Sequence, residues 1–182
     1  MAIKAIKKIN SKLSFLCRQR KYLDPHLRRL LCNALIQPHF DYGCTSWYPL
    51  INKRLRNKLQ VAQNKCIRFC LNMPARSHIS HEEFKNINWL PTKDRVDQCI
   101  ALNVFKYWSK TAPSYVDDLY TPSFNTYNTR RSQMALDIPL KKTSLGQKGM
   151  SYLGPSIWNK LSISLKSNIS ASSFTHNFKN IY

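Results

Sequence analysis

The segment from Lys53 to Leu71 constrains the fold more than any other part of the sequence. Its apolar residues recur at i, i+4, i+7, i+11 and i+14, the spacing of one face of an α-helix. They are Leu55, Leu59, Ala62, Cys66 and Phe69. The segment therefore predicts an amphipathic helix that buries one face against a core. It also carries six basic residues and no acidic one.

Helical patterns lie on both sides of this segment. Between Ile3 and Arg20, the apolar residues at helical spacing are Ile3, Ile6, Leu13 and Leu16. In the next segment Asp24 predicts a helix N-cap, Pro25 fits the first turn, and Pro38 is expected to end the helix. Only four glycines occur in 182 residues, which favours helices over a turn-rich β fold.

Further helices are predicted downstream. Ser80 and Glu83 form a capping-box pattern that opens a short helix to about Asn88. Thr92 is a candidate cap for a helix that runs to about Lys110. Residues 120–153 are rich in Thr, Ser, Asn and Pro and predict loops with one short strand pair, and SIWNKL and SSFTHNFKNIY predict two closing helices. The expected fold is mainly α: a basic helical bundle (1–73), a helical connector (74–112) and a smaller, loop-rich C-terminal extension (113–182).

The charge is strongly unbalanced. The chain has 29 Lys and Arg against 9 Asp and Glu, a net charge of +20, which attracts polyanions: nucleic acids first, anionic membranes second. Fifteen of the basic residues lie in Lys4–Arg29 and Lys53–Arg68, where Asp24 is the only acid. Because solvated helices normally mix both signs, the basic stripe predicts contact with nucleic-acid phosphates. The candidate contacts are Arg18, Arg20, Lys21, Arg28, Arg29, Arg54, Lys58, Lys65 and Arg68.

The N-terminal residues and the hydropathy of the chain indicate where in the cell the protein is expected. No run of about 18 apolar residues is present, so no membrane span is expected. MAIKAIKKINSKL lacks the apolar core of a secretory signal, although its basic, acid-free character also fits a mitochondrial presequence. We expect a nuclear or cytoplasmic protein that is not secreted. Its six cysteines are then expected to be free, mostly buried thiols.

The letters Tyr115-Val116-Asp117-Asp118 match the Tyr-x-Asp-Asp box that carries metal-binding carboxylates in reverse transcriptases. Such a box needs a hairpin between apolar strands and a third carboxylate to hold two magnesium ions. Pro113 and Ser114 precede the box, and the pattern instead favours a short helical turn with Ser114 as N-cap. We therefore expect solvated carboxylates without a catalytic role.

Two further motifs are weak. Cys66, Cys70, His78 and His81 have the residue types of a zinc site, but the central gap is too short for the usual finger and both cysteines continue an apolar stripe. The Gly-x-x-Gly in LGQKGMSYL is similar to the nucleotide clamp of KH domains, but its flanks carry prolines and predict a plain loop. No catalytic constellation, metal or cofactor is expected.

Several stretches together resemble LINE-type (non-LTR) retrotransposon reverse transcriptases after the palm. LQVAQNKCIRF resembles that family's L-x-x-x-Q-x-x-x-x-R helix, and ALIQPHFDYGCTSWYPL resembles its L-x-x-P-H-[FL]-[DE]-Y-x-x-x-x-W stretch. NWLPTKDRVDQ resembles its WLP-x-x-x-R helix. The tail from GQKGMSYLGPSIWNKL to FTHNFKNI resembles its segment with G-P-x-x-WN-x-LP followed by S-x-x-x-F-K. Order and spacing hold from about Ile9 to the end. Ser162 departs from the pattern, since proline is common there.

The resemblance implies a role. Met1 to about Met73 would correspond to the helical thumb, which closes over a template–primer duplex, and the rest to a C-terminal extension. The catalytic aspartates of the palm would lie outside this chain, so the resemblance implies no polymerase activity of its own. It also implies the palm of a parent enzyme as a partner. The expected function is sequence-independent binding of a template–primer duplex or structured RNA. The alternatives are a self-standing, co-opted RNA-binding protein and a non-functional transposon relic.

Overall fold

A computed structural model describes residues 1–123 and 134–181, and their fold is mainly α, as expected. These residues contain ten α-helices and three 3₁₀ helices. The chain divides into two compact units, Met1–Arg95 and Val96–Tyr182. Residues 74–95, which the sequence assigns to the connector, lie in the first unit.

The first unit is built on helices joined by short turns. Its helices are α1 (Ala2–Arg18), α2 (Pro25–Leu35), α3 (Gln37–Asp41), α4 (Cys44–Trp47), α5 (Lys53–Cys70), α6 (His81–Asn86) and the first residues of α7 (Thr92–Trp108). A 3₁₀ turn, Arg20–Tyr22, follows α1. The long helices α1 and α5 pack against each other, and α2 packs on α5.

The core of this unit confirms the apolar stripe of α5. Leu59, Ala62, Cys66 and Phe69 are buried, and Leu55 is half-buried. Burial of these side chains supplies the main stabilisation of the helix, because propensity alone leaves isolated helices marginal.

The prediction of the apolar face of α1 is partly wrong. Ile3 is exposed, whereas Ala2 and Ile9 are buried beside Leu13 and Leu16. Ala2, Ile9, Leu13 and Leu16 are seven, four and three residues apart and share one side of the helix. Ile3 lies about 100° around the axis from Ala2 and cannot join them.

Local signals set several helix ends. Asp24 caps α2 by accepting a hydrogen bond from the backbone N–H of Leu27, and Ser80 with Glu83 forms the predicted capping box of α6. Asn72 takes a left-handed conformation (φ 57°) after α5, where asparagine is tolerated better than most residues. The prediction that Pro38 ends α2 is wrong. Pro38 lies in the first turn of α3, where proline is also compatible with a helix.

Polar side chains connect distant segments of the first unit. Arg95 donates two hydrogen bonds to the carboxylate of Asp41, from Nε at 3.0 Å and Nη2 at 2.9 Å. Gln63, which is 1% exposed, donates from Nε2 to the backbone carbonyl of Leu90 at 2.8 Å. Trp89 donates from Nε1 to Asn33 at 2.7 Å. The contacts of Leu90 and Trp89 fix the chain between α6 and α7, and that of Arg95 joins α7 to α3.

The second unit contains the rest of α7, two 3₁₀ turns (Ser114–Leu119 and Gly146–Lys148) and helices α8 (Met150–Lys160), α9 (Ile163–Lys166) and α10 (Ala171–Ile181). Its aromatic core includes Phe174, which stacks on Phe105 with 4.9 Å between ring centroids. Tyr120 is buried against Gly154 of α8.

The region predicted to form a strand pair shows one antiparallel bridge among its described residues, between Pro122 and Leu136. Residues 124–133 of that region lie outside the described part of the chain. Asn159 of α8 supports this bridge with both halves of its amide: Oδ1 accepts from Leu136 N–H and Nδ2 donates to Leu136 C=O.

Candidate nucleic-acid interface

A groove runs between α1 and α5 in the first unit. It consists of two concavities of about 480 and 420 Å³, and both are lined by Asn10 and Lys65. The remaining lining residues are Ile6, Arg54, Asn57, Lys58, Val61 and Ala62 in the first concavity, and Leu13, Ser14, Cys17, Arg20, Arg68, Phe69, Met73 and Ala75 in the second. Because the concavities share two residues, we treat them as one surface, the α1–α5 groove.

The basic stripe of α5 lies along this groove. Arg54, Lys58, Lys65 and Arg68 all line it, joined by Arg20 from the 3₁₀ turn after α1. No Asp or Glu is among its lining residues. The helix places the four residues of α5 in a row because they follow the apolar stripe at a constant offset, so one face packs on the core while the adjacent face presents cations.

The five lining cations differ in their exposure and in their hydrogen bonds to the rest of the unit. Arg54, Lys58 and Lys65 are exposed, and no hydrogen bond or ion pair joins them to another described residue. Arg68 donates from Nε to the backbone carbonyl of Ser77 at 2.9 Å. Arg20 donates from Nε to Asn72 Oδ1 at 3.0 Å. The first three are therefore available to phosphates without loss of an internal contact.

Arg28 is internal. It is 7% exposed, its Nη1 donates to Asn72 Oδ1 at 2.8 Å, and its Nη2 donates to the carbonyl of Arg20 at 2.8 Å. Its guanidinium also lies over the ring of Phe69, 5.7 Å from the centroid. A buried guanidinium held by neutral acceptors supports the loop after α5 and is not accessible to phosphates.

The remaining predicted residues lie elsewhere in the first unit. Arg29 lines a smaller concavity of about 250 Å³ beside Pro25 and Asn86. Arg18 and Lys21 are exposed but do not line the α1–α5 groove. The nine basic residues selected from the sequence therefore do not form one surface: five line the groove and four do not.

No family model, curated protein or solved structure matches this chain. The interpretation of the groove consequently depends on its own residues and on the sequence motifs.

The structure shows what the resemblance motifs do in the fold. Gln63 donates a hydrogen bond to the backbone carbonyl of Leu90, and Arg68 donates one to that of Ser77. Asp41 forms a salt bridge with Arg95. Gln63 and Asp41 thus each tie a helix to a segment distant in sequence, and Arg68 ties α5 to the loop that follows it. These contacts give the spacing of the motif residues a structural reason in the packing of the first unit.

The Tyr-x-Asp-Asp letters do not lie on a hairpin. Ser114–Leu119 is a 3₁₀ helix whose N-cap position is Pro113, one residue before the predicted cap. Asp117 and Asp118 are exposed, and Asp117 lies 3.9 Å from the ammonium of Lys110. This geometry does not bring the carboxylates together in the cage that two magnesium ions require.

The other two motifs also have structural explanations. Cys66 and Cys70 are buried in α5, and burial raises the pKa of the Cys66 thiol above its ordinary value, which disfavours the thiolate that zinc binds. Among the described residues, no group of three or more His, Cys, Asp and Glu is placed to hold a metal ion.

Gly146 begins a 3₁₀ turn that ends at Lys148, and Gly149 follows it and leads into α8. Within the described residues, no helix has the length and apolar character needed to cross a membrane.

Sequence reasoning missed the opposite side of the groove. Asn10, Ser14 and Cys17 of α1 line it and are not predicted from the charge pattern. Their spacing of four and three residues beside the buried stripe of α1 was the available signal, but a neutral residue on a helix gives no indication that a groove lies next to it.

Proposed function

We propose that this chain binds nucleic acid through the α1–α5 groove and has no catalytic activity of its own. The observation that carries the proposal is the lining of the groove by five basic residues and no acidic one. Neutralising phosphates releases condensed counterions, which gives affinity that does not depend on base sequence. Arg54, Lys58 and Lys65 would make the main contacts.

We further propose that the chain corresponds to the thumb and C-terminal region of a LINE-type reverse transcriptase. The motifs from about Ile9 to the end support this, and the polar contacts of Gln63 and Asp41 give their spacing a structural reason. In that setting the first unit would hold nucleic acid for a palm supplied by the parent enzyme. A co-opted, self-standing RNA-binding protein in the nucleus or cytoplasm would use the same groove.

Charge reversal tests the proposed interface. The variant Arg54→Glu, Lys58→Glu, Lys65→Glu should lose binding to a labelled RNA–DNA hybrid and to a labelled RNA of the same length. Arg68 is left unchanged because its contact with Ser77 supports the fold.

The matched control is Lys4→Glu, Lys7→Glu, Lys8→Glu. It changes the net charge by the same amount on exposed residues of α1 that do not line the groove. If both variants lose affinity equally while circular dichroism shows that both stay helical, binding follows the total charge and the groove is not the interface. Template-dependent extension by the purified protein would contradict the absence of catalytic activity.

A further inference from the structure

The two sides of the α1–α5 groove differ in charge. The α5 side carries Arg54, Lys58, Lys65 and Arg68. The α1 side consists of Ile6, Asn10, Leu13, Ser14 and Cys17, and none of these residues is charged. The lysines of α1, at positions 4, 7, 8 and 12, do not line the groove. Arg20 adds one cation where α1 has ended.

Much of the groove surface is apolar. Val61 is 52% exposed within it, and the half-buried Ile6 and Met73 also line it. Leu13 and Phe69 line it as well but are buried. Covering such surface is favourable only for a ligand that brings apolar faces of its own. The faces of unpaired nucleobases meet this requirement, whereas in a duplex they are stacked inside.

The asymmetry distinguishes two forms of nucleic acid. A duplex presents charged backbones on both edges of each of its grooves, so it suits a surface that is cationic throughout. A single strand has one charged edge, the phosphates, and one neutral edge, the bases. A groove with one cationic and one neutral side matches the single strand.

We propose that the α1–α5 groove binds single-stranded nucleic acid, with phosphates along α5 and bases against α1. This inference rests on the proposed nucleic-acid binding and departs from the duplex preference expected from the sequence. Asn10 and Asn57 line the groove and offer amide donors and acceptors to base edges. The contact with phosphates still provides most of the affinity.

The length of the cationic row sets the size of the site. Arg54 and Arg68 are fourteen residues apart on one helix, which is ~21 Å at ~1.5 Å per residue. With a rise of about 3.4 Å per stacked nucleotide, the row spans about six nucleotides, and fewer when the strand is extended. An unstructured 12-mer of deoxythymidine is therefore long enough to fill the groove.

Cys17 provides a local probe of occupancy. It lines the groove and is the one exposed cysteine of the six, because Cys99 is half-buried and the others are buried. Partial burial raises the pKa of the Cys17 thiol, so alkylation with iodoacetamide is best followed at about pH 8.5. Mass spectrometry of the Cys17 peptide then reports whether a bound strand covers this position.

The experiment compares the labelled 12-mer with a blunt DNA duplex and an RNA–DNA hybrid of the same length. We expect the single strand to bind at least tenfold more tightly and to slow alkylation of Cys17 at least fivefold. Binding of a duplex that is equally tight and equally protective would overturn this inference and leave the proposed function standing. Tight binding of the single strand without protection of Cys17 would also overturn it. If none of the three binds, both proposals fail.

A pair of variants tests the neutral side directly. Ser14→Glu places a carboxylate in the groove, whereas Ser11→Glu places it on an exposed position of α1 outside the groove. Both variants change the net charge by one. We expect the affinity for the 12-mer to fall at least fivefold more in Ser14→Glu than in Ser11→Glu, and equal effects would overturn the inference.

Discussion

The salt dependence of binding can be worked out from the groove and gives a quantitative test. For single strands, the slope of log K against log salt is about −0.7 for each phosphate neutralised. The three exposed groove cations, Arg54, Lys58 and Lys65, correspond to a slope of about −2. Full use of all five lining cations corresponds to about −3.5. Raising the salt from about 50 to 200 mM should therefore weaken binding of the deoxythymidine 12-mer about 20- to 130-fold.

The assay is fluorescence anisotropy of the labelled 12-mer at four salt concentrations. Lys58→Gln should reduce the magnitude of the slope by about 0.7, because one phosphate contact is lost. Lys4→Gln removes the same charge from an exposed position that does not line the groove, so its slope should equal that of the unmodified protein.

Three results would refute this reasoning. A slope of about −6 would mean that all nine basic residues selected from the sequence contact phosphates, which the positions of Arg28 and Arg29 do not support. A slope near zero would mean that phosphate neutralisation does not drive binding. An equal change of slope in Lys58→Gln and Lys4→Gln would place the contact outside the groove.

Three further predictions concern the fold. Gln63→Leu leaves the carbonyl of Leu90 without its partner and should lower the free energy of unfolding by about 1–3 kcal/mol, measured as a lower urea midpoint. Gly154→Ala would place a Cβ 2.7 Å from the buried ring of Tyr120, so it should destabilise the protein by about 1–3 kcal/mol despite the better helix propensity of alanine, and an unchanged midpoint would contradict the packing. Burial lowers the pKa of Lys166, which disfavours its charged form in the folded state. The difference in urea midpoint between the unmodified protein and Lys166→Met should therefore shift in favour of the unmodified protein as the pH rises from 7 towards 10.5. A difference that stays constant with pH would refute this.

The sequence by itself determined four helices of the first unit, α1, α2, α5 and α6, but it did not indicate the short helices α3 and α4. The apolar stripe of α5 and the caps at Asp24 and Ser80 are local signals, because both depend on residues within a few positions of each other. The sequence also identified the helical, non-hairpin character of the segment at Asp117, since prolines and the period of the pattern are local as well.

Only the tertiary structure decided which basic residues share a surface. Arg28 and Arg29 are neighbours in sequence, yet Arg28 turns into the loop after α5 and Arg29 lines a separate concavity. Likewise, no local pattern indicates that Ser14 of α1 would lie across from the cations of α5. The physical reason is that charge and helical period are properties of each segment alone. A groove exists only between two segments and depends on how their buried faces pack.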